Sequence, residues 1–186
     1  MNIFVISDTH GHLEKAYDMY NKISQTDKID AIIHCGDYQR DGGLVESTLG
    51  IPVTSVQGNC DGTRQRDFKV VETPAGKILV THGHIENVDY NYNNLLYLAQ
   101  ENDCICVCFG HTHFPVIEKE QGITLVNPGS LTFPRDGTNG SCALLHLTEN
   151  LVDGLIIYYD ESFGNNKKKK ARGGYLRGLL NYSDRF

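Results

Sequence analysis

Short polar motifs follow apolar runs at five places along the chain. They are Asp8-Thr9-His10, Gly36-Asp37, Gly58-Asn59-Cys60-Asp61, His82-Gly83-His84 and Gly110-His111-Thr112-His113. One such motif would be a weak indication, because Asp and Gly commonly turn the chain after a strand. Five in succession, nearly all with His, Asp or Asn, are hard to explain by turns alone. Imidazole and oxygen ligands together suit borderline divalent cations such as Mn, Fe, Zn or Ni, so the motifs predict metal-dependent chemistry.

The apolar runs between the motifs predict the elements that position them. Strands are expected at 2–8, 30–37, 52–57, 68–72, 77–82, 104–109, 115–118, 123–126, 142–147 and 155–159, and helices at 12–25, 44–49 and 91–101. Ligands bind at the carboxyl ends of the strands in an open α/β sheet, so motifs distant in sequence are expected to meet there. A parallel βαβ start followed by hairpin-linked strands indicates two packed sheets with helices outside.

The motifs D-x-H, GD, GN-x-D, HGH and GHTH, in this order and spacing, resemble those of the calcineurin-like metallophosphoesterases. The sequence is most similar to the small prokaryotic phosphodiesterase branch, and the resemblance covers about residues 1–160. The combination is specific, although each piece alone is not. It implies an α/β fold, a four-layer α/β/β/α sandwich of two mixed sheets, with two divalent metal ions. It also implies hydrolysis of a phosphodiester by a hydroxide that bridges the two ions.

The resemblance assigns metal ligands by motif position. It implies that Asp8, His10 and His113 bind one ion, that Asn59, His82 and His111 bind the other, and that Asp37 bridges both. The residues expected to act in catalysis are Asp37, Asn59 and His82. Manganese is the metal expected first, with nickel, iron, zinc or magnesium as alternatives.

The proton donor to the leaving group is left open by the sequence. Many larger relatives carry a His directly after the GN motif, where this chain has Cys60. Water, Asp61 and His84 are the alternative donors. Asp61 is expected to orient a ligand and His84 to lie at the edge of the site. Arg66 follows the same loop and could reach the substrate phosphate.

Charge is distributed unevenly along the chain. The formal net charge of −6 divides into +6 for residues 165–186 and −12 for residues 1–164. An acidic body is a poor generic binder of nucleic acid, which disfavours a nuclease and favours a small or nucleotide-like phosphodiester. The segment 164–174, GNNKKKKARGG, marks a boundary. We therefore expect a metallophosphoesterase domain at 1–164 and a basic C-terminal tail at 165–186.

Cysteine usage and the N-terminus bear on location. The three cysteines Cys104, Cys106 and Cys108 alternate along one apolar run, so they are expected on one face of a strand. All six cysteines are expected to be reduced and buried. No window reaches the ~20 apolar residues of a membrane span, and no signal peptide is recognised. These features predict a cytoplasmic protein without a membrane partner, and a homo-oligomer is possible.

A protein-interaction scaffold of the same fold is the rival from another functional class, since a retromer subunit resembles this fold. Replacement of His10 or Asp37 by apolar or neutral residues would favour the scaffold. Both residues are present, together with the other matched positions, so the enzyme is favoured.

Deletion of residues 165–186 is expected to leave hydrolysis of an aryl phosphodiester largely intact, because none of the motifs lies in that segment. The measurement compares kcat/KM of the truncated and full-length chains under the same metal conditions. Complete loss of activity would show that the tail belongs to the site or to an assembly that the site requires.

Overall fold

Strands and helices alternate at the start of the chain and strands dominate afterwards in the computed structural model, which describes residues 1–62, 66–149 and 151–164. The strands are β1 (Asn2–Ile6), β2 (Ala31–His34), β3 (Val53–Ser55), β4 (Phe68–Thr73), β5 (Gly76–Thr81), β6 (Cys104–Cys108), β7 (Pro115–Glu120), β8 (Ile123–Pro128), β9 (Ser141–Thr148) and β10 (Leu151–Tyr158). The helices are α1 (Glu14–Ile23), α2 (Gln39–Leu49), α3 (Asn93–Glu101) and α4 (Tyr159–Phe163). The predicted basic tail, 165–186, lies outside the described residues.

The strands form two mixed sheets. The first has the order β10-β9-β1-β2-β3, in which β1, β2 and β3 are parallel. The second has the order β4-β5-β6-β8-β7, in which β5, β6 and β8 are parallel. The motifs follow the carboxyl ends of β1, β2, β3, β5 and β6. All five motifs therefore leave parallel strands, three in one sheet and two in the other.

Side-chain alternation across the strands builds the apolar layers. Ile3 and Val5 of β1 pack between the sheets, in one cluster with Ile78 of β5. Phe4 and Ile6 point the other way, because successive side chains of a strand face opposite sides. The helical residues that pack in the cluster with Phe4 and Ile6 are Ala16, Met19, Ile23 and Val45.

Helix α3 covers the outer face of the second sheet. Its Leu95, Leu96 and Ala99 form a buried cluster with Leu79 and Val107. Fully burying one such aliphatic side chain contributes about 1.5–3 kcal/mol. The order of layers is therefore helices, sheet, sheet, helix, which confirms the predicted four-layer α/β/β/α sandwich. None of the described helices is long and apolar enough to cross a membrane.

The expectation that three cysteines share one face of β6 is wrong. Lys77 pairs with Cys104 but the next residue, Ile78, pairs with Cys106, so the register shifts by one residue. Such a bulge moves one side chain to the other face. Cys106 and Cys108 pack between the sheets, whereas Cys104 packs in the α3 cluster.

The starts of two elements, the presence of one short helix and the exposure of one cysteine also differ from expectation. Helix α2 begins at Gln39 rather than 44, β10 begins at Leu151 rather than 155, and α4 is not predicted by the sequence pattern. All six cysteines are free thiols, as expected, but Cys60 is exposed rather than buried.

Candidate metal centre

Four of the predicted ligands form one tight cluster. Asp8, His10, Asp37 and His113 each offer one ligand atom, and these atoms all lie within 4.8 Å of one another. Asp8, Asp37 and His113 are buried, and His10 is partly exposed. A divalent cation could be held by this set, because two carboxylates and two imidazoles supply both charge and lone pairs.

The other three predicted ligands form a neighbouring group. The Oδ1 atom of Asn59 lies 3.1 Å from His82 Nε2 and 3.0 Å from His111 Nδ1. Asp37 joins the two groups, because its Oδ1 lies 3.4 Å from His82 Nε2 while its Oδ2 lies 3.6 Å from His10 Nε2. Asn59 is exposed and His82 is fully buried, so the second group extends from the interior to the surface.

The histidine rings are held through the nitrogens that face away from the site. His82 Nδ1 lies 2.7 Å from the carbonyl oxygen of Cys35, and His113 Nδ1 lies 2.6 Å from that of Phe133. His111 Nε2 lies 2.9 Å from Asp89 Oδ2. Carbonyl and carboxylate oxygens only accept, so each of these nitrogens carries the hydrogen, and in the neutral ring the inward nitrogen presents a lone pair.

The inward-facing atoms of the second group fit a cation. In their neutral forms, His82 Nε2 and His111 Nδ1 each present a lone pair to Asn59 Oδ1, at 3.1 and 3.0 Å. Three acceptors facing each other repel unless a positive charge lies among them. A metal-ligating imidazole typically donates its other N–H to a carbonyl or carboxylate, as His82 and His111 do here. The donor chemistry therefore fits a divalent ion without requiring thiolate.

The carboxylate of Asp8 gives an independent indication. Its Oδ2 accepts hydrogen bonds from the Ser7 hydroxyl at 2.6 Å and from the His111 N–H at 3.1 Å. Its Oδ1 is buried and receives no well-formed hydrogen bond from the described residues, although His113 Nε2 lies 3.1 Å away. Leaving a buried acceptor unsatisfied costs about 1–3 kcal/mol. A cation beside Oδ1 would remove that cost.

Burial and charge act in opposite directions on the pKa values of Asp8 and His113. Burial raises the pKa of Asp8, but the close approach of His113 and the charges of His82 and His113 outweigh it and leave that pKa below its ordinary value. Burial lowers the pKa of His113, and the nearby carboxylate of Asp8 outweighs that effect and raises it. Asp8 is therefore ionised at neutral pH, as a metal ligand must be.

Backbone strain is concentrated in the same residues. Five of the seven predicted ligands have positive φ: Asp8 (53°), His10 (49°), Asp37 (53°), His111 (70°) and His113 (59°). The left-handed region costs an L-residue roughly 1–2 kcal/mol, and such residues gather at functional sites. The chain thus maintains an unfavourable backbone conformation in both groups of predicted ligands.

Comparison with known proteins decides the family. The family model described as the calcineurin-like phosphoesterase superfamily domain matches residues 1–150. The chain belongs to this superfamily. It is 33% identical over 163 residues to the probable metallophosphoesterase YsnB of Bacillus subtilis, covering 87% of this chain and 92% of YsnB.

Two solved structures share the fold of this chain. The crystal structure of a predicted phosphoesterase from Streptococcus pneumoniae has a TM-score of 0.69 and 29% identity, covering 86% of this chain and 90% of that one. The structure of a novel archaeal phosphodiesterase has a TM-score of 0.66 and 25% identity, covering 84% of this chain and all of that one.

Asp61 connects two loops of the candidate site. Its carboxylate accepts hydrogen bonds from the backbone N–H groups of Tyr38 (3.1 Å), Gln39 (2.8 Å) and Gly58 (2.8 Å). Both oxygens are used as acceptors, so Asp61 ties the loop after β2 to the loop after β3. This geometry favours the orienting role over proton donation, since a proton on either oxygen would displace an N–H donor.

His84 and Arg66 lie at the edge of the candidate site. The ring of His84 lies 5.3 Å from that of His82, and neither of its nitrogens has a hydrogen-bond partner among the described residues. Burial lowers the pKa of His84, and the neighbouring His82 and His111 lower it further. The Nε atom of Arg66 lies 2.9 Å from the buried carboxylate of Glu86. This ion pair leaves only the other guanidinium nitrogens of Arg66 to contact a substrate phosphate.

Asp89 is a site residue that the sequence pattern does not identify. Its carboxylate contacts His111 Nε2 at 2.9 Å and so fixes the ring of one predicted ligand. Asp89 lies outside the five motifs, seven residues after His82, and its partner is in a different motif. Only the folded arrangement brings the two together.

Cys60 stands where many larger relatives carry a histidine, and it is predicted to be a poorly reactive thiol. Partial desolvation of the thiol and the adjacent Asp37 carboxylate raise its pKa to about 11. In the metal-free protein, alkylation by iodoacetamide is therefore expected to be slow at pH 7 and to accelerate as pH approaches that value, because only the thiolate reacts. Cys60→Ser is the control, since the other five cysteines are buried. Rapid alkylation of Cys60 at pH 7 would contradict the prediction.

Proposed function

We propose that this chain is a metal-dependent phosphodiesterase that hydrolyses a small or nucleotide-like phosphodiester with two divalent cations. One cation would be held by Asp8, His10, Asp37 and His113, and the other by Asp37, Asn59, His82 and His111. The observation that carries the proposal is the set of three acceptor atoms, from Asn59, His82 and His111, that face one another beside Asp37. The orphaned Asp8 Oδ1 supports the companion site.

When bound, the two cations would supply Lewis acidity and a shared hydroxide nucleophile at neutral pH. The chain contributes two carboxylates and five neutral side chains, so the pair of ions keeps a net positive charge that attracts a phosphodiester anion. Asp37 would set the distance between the ions, and Asn59 and His82 would fix the solvent-facing one. Water or His84 would supply the proton to the departing oxygen.

The reaction adds water across one ester bond. A new P–O bond forms from the attacking oxygen as the P–O bond to the leaving alcohol breaks, and the leaving oxygen receives a proton. The products are a phosphomonoester and an alcohol. A diester is favoured over a monoester because the archaeal phosphodiesterase shares this fold and because the site's small surplus of positive charge suits a monoanion.

The rival scaffold has the same fold, so fold alone does not separate the two functions. A nuclease would require a basic surface around the site, and the acidic composition of residues 1–164 disfavours one. Turnover and metal binding separate an enzyme from a scaffold.

Removal and return of metal tests the proposal. Full-length protein treated with a strong chelator is expected to lose hydrolysis of bis(p-nitrophenyl) phosphate and to regain it when Mn²⁺ is added. Elemental analysis after gel filtration should give about two ions per chain. Ni²⁺, Fe²⁺, Zn²⁺ and Mg²⁺ tested in parallel rank the metals, and p-nitrophenyl phosphate reports monoester activity. Hydrolysis that survives chelation, or metal binding without hydrolysis of any ester, would overturn the proposal.

A further inference from the structure

A cavity that the metal chemistry does not use lies beside the centre. Its volume is about 270 Å³, and it is lined by His12, Glu14, Lys15, Leu131, Thr132 and Phe133. The ring of Phe133 lies 5.3 Å from the ring of His10 and 6.1 Å from that of His12, nearly perpendicular to the latter. The Phe133 ring, which lines the cavity, therefore also contacts the ring of His10, a predicted metal ligand.

The wall formed by Phe133 is fixed to the centre through its backbone. Ser130 accepts hydrogen bonds from the N–H groups of Thr132 (3.1 Å) and Phe133 (2.9 Å) and donates its hydroxyl to the carbonyl of Asp8 (2.9 Å). The carbonyl of Phe133 accepts from His113. The backbone around the ring is thus tied to two predicted ligands.

The ring of Phe133 nevertheless remains open to solvent. Phe133 is 52% exposed, whereas Leu131, which also lines the cavity, is only 2% exposed. Single exposed apolar residues are common and need no explanation. Here the exposed ring forms one side of a concave space with a buried aliphatic residue, at a position held rigid by the site itself, which is the arrangement of a ligand pocket.

We propose that this cavity binds an aromatic ester group of the substrate, which stacks on Phe133 while the phosphate lies at the metal centre. This inference rests on the proposed function and adds the substrate class. The volume is close to the lower bound of about 300 Å³ for ligand pockets, which suits one ring system rather than a whole dinucleotide. Glu14 also lines the cavity, whereas the ammonium of Lys15 is directed to the carbonyl oxygen of Asn139 at 2.6 Å.

The inference is tested with phosphate and phosphonate ligands that carry a single organic group, which either contains an aromatic ring or does not. Phenylphosphonate, thymidine 5′-monophosphate and methylphosphonate are compared as competitive inhibitors of bis(p-nitrophenyl) phosphate hydrolysis by the Mn²⁺-loaded full chain. Ligand-observed NMR with Mg²⁺ gives a second measurement that needs no turnover. The aromatic ligands are expected to bind about tenfold more tightly than methylphosphonate, within the range of base–aromatic stacking.

Phe133→Ala and Phe133→Leu are expected to remove that preference while leaving the affinity for methylphosphonate within about twofold, because the backbone contacts of Phe133 are retained. Phe114→Ala is the matched control: Phe114 is 47% exposed and follows His113, but it does not line the cavity.

A preference for phenylphosphonate alone assigns the cavity to aryl groups, and a preference for both aromatic ligands includes nucleobases. Equal affinity for all three ligands in the unmodified chain, or equal effects of the Phe114 and Phe133 variants, would overturn the inference. Turnover of the diester would still stand in that case, so failure here is distinct from failure of the proposed function.

Discussion

Asp37→Asn is expected to lower kcat for bis(p-nitrophenyl) phosphate by about 10³-fold, at the upper end of losses for one transition-state contact. The amide keeps the size of the carboxylate and can still accept the 2.9 Å hydrogen bond that the Cys60 N–H donates to Oδ1. It cannot offer two anionic oxygens, one toward His10 and one toward His82. The variant should therefore fold normally and lose the bridge between the two ligand groups.

Asp103→Asn is the matched control for this variant. Asp103 has a φ of 55°, close to the 53° of Asp37, so both substitutions place Asn in the same left-handed conformation. Its side chain is 88% exposed, and its ion-pair partner is Lys77. Hydrolysis rate, thermal midpoint and bound Mn²⁺ per chain should be measured for both. Activity retained by Asp37→Asn, or lost equally by the control, would show that Asp37 does not bridge two ions.

The candidate ligands could be predicted from the sequence because few residue types bind such cations. A cation selects His, Asp and Asn, and the strand-end pattern places these types where parallel strands finish. Their backbone conformation could not be predicted. His10 and His111 adopt positive φ, and the adjacent sequence does not distinguish them from ordinary turn residues. The folded site imposes that conformation.

Tertiary packing explains why helix α2 is longer than the pattern predicted. Gly42 and Gly43 lower helix propensity, which moved the expected start to residue 44. In the structure a Cβ on Gly42 would lie 2.7 Å from the Cβ of Ser55, so glycine permits close approach of α2 to β3. Packing of the helix on the sheet outweighs the propensity of two residues.

The bulge in β6 was hidden for a different reason. Alternation of Cys104, Cys106 and Cys108 predicts one face, but a one-residue register shift reverses the assignment of every residue before it. The apolar run carries no residue that marks the shift, because both faces of this central strand are buried. Periodicity alone cannot locate a bulge in a strand whose two faces are equally apolar.

Gly58→Ala is expected to reduce both stability and activity, through contact rather than backbone conformation. Gly58 has φ −112° and ψ −173°, an extended conformation open to any residue. A Cβ there would collide with the Oδ1 and backbone nitrogen of Asp37. Overpacking of this kind costs about 1–3 kcal/mol. Displacement of the bridging carboxylate by about 1 Å should lower kcat/KM by about 10²-fold.

Gly43→Ala makes the same chemical change with the opposite expected result. A Cβ at Gly43 meets no atom within 4 Å, and the residue lies inside α2. Alanine should therefore stabilise the fold by about 0.5–1 kcal/mol, with kcat/KM unchanged. One kcal/mol corresponds to a shift of about 2–4 °C in thermal midpoint at this size. Opposite shifts for the two variants would show that the loop after β3 holds Asp37 by close contact. A Gly58→Ala protein that keeps full turnover would mean that Asp37 tolerates movement, which a group bridging two cations does not.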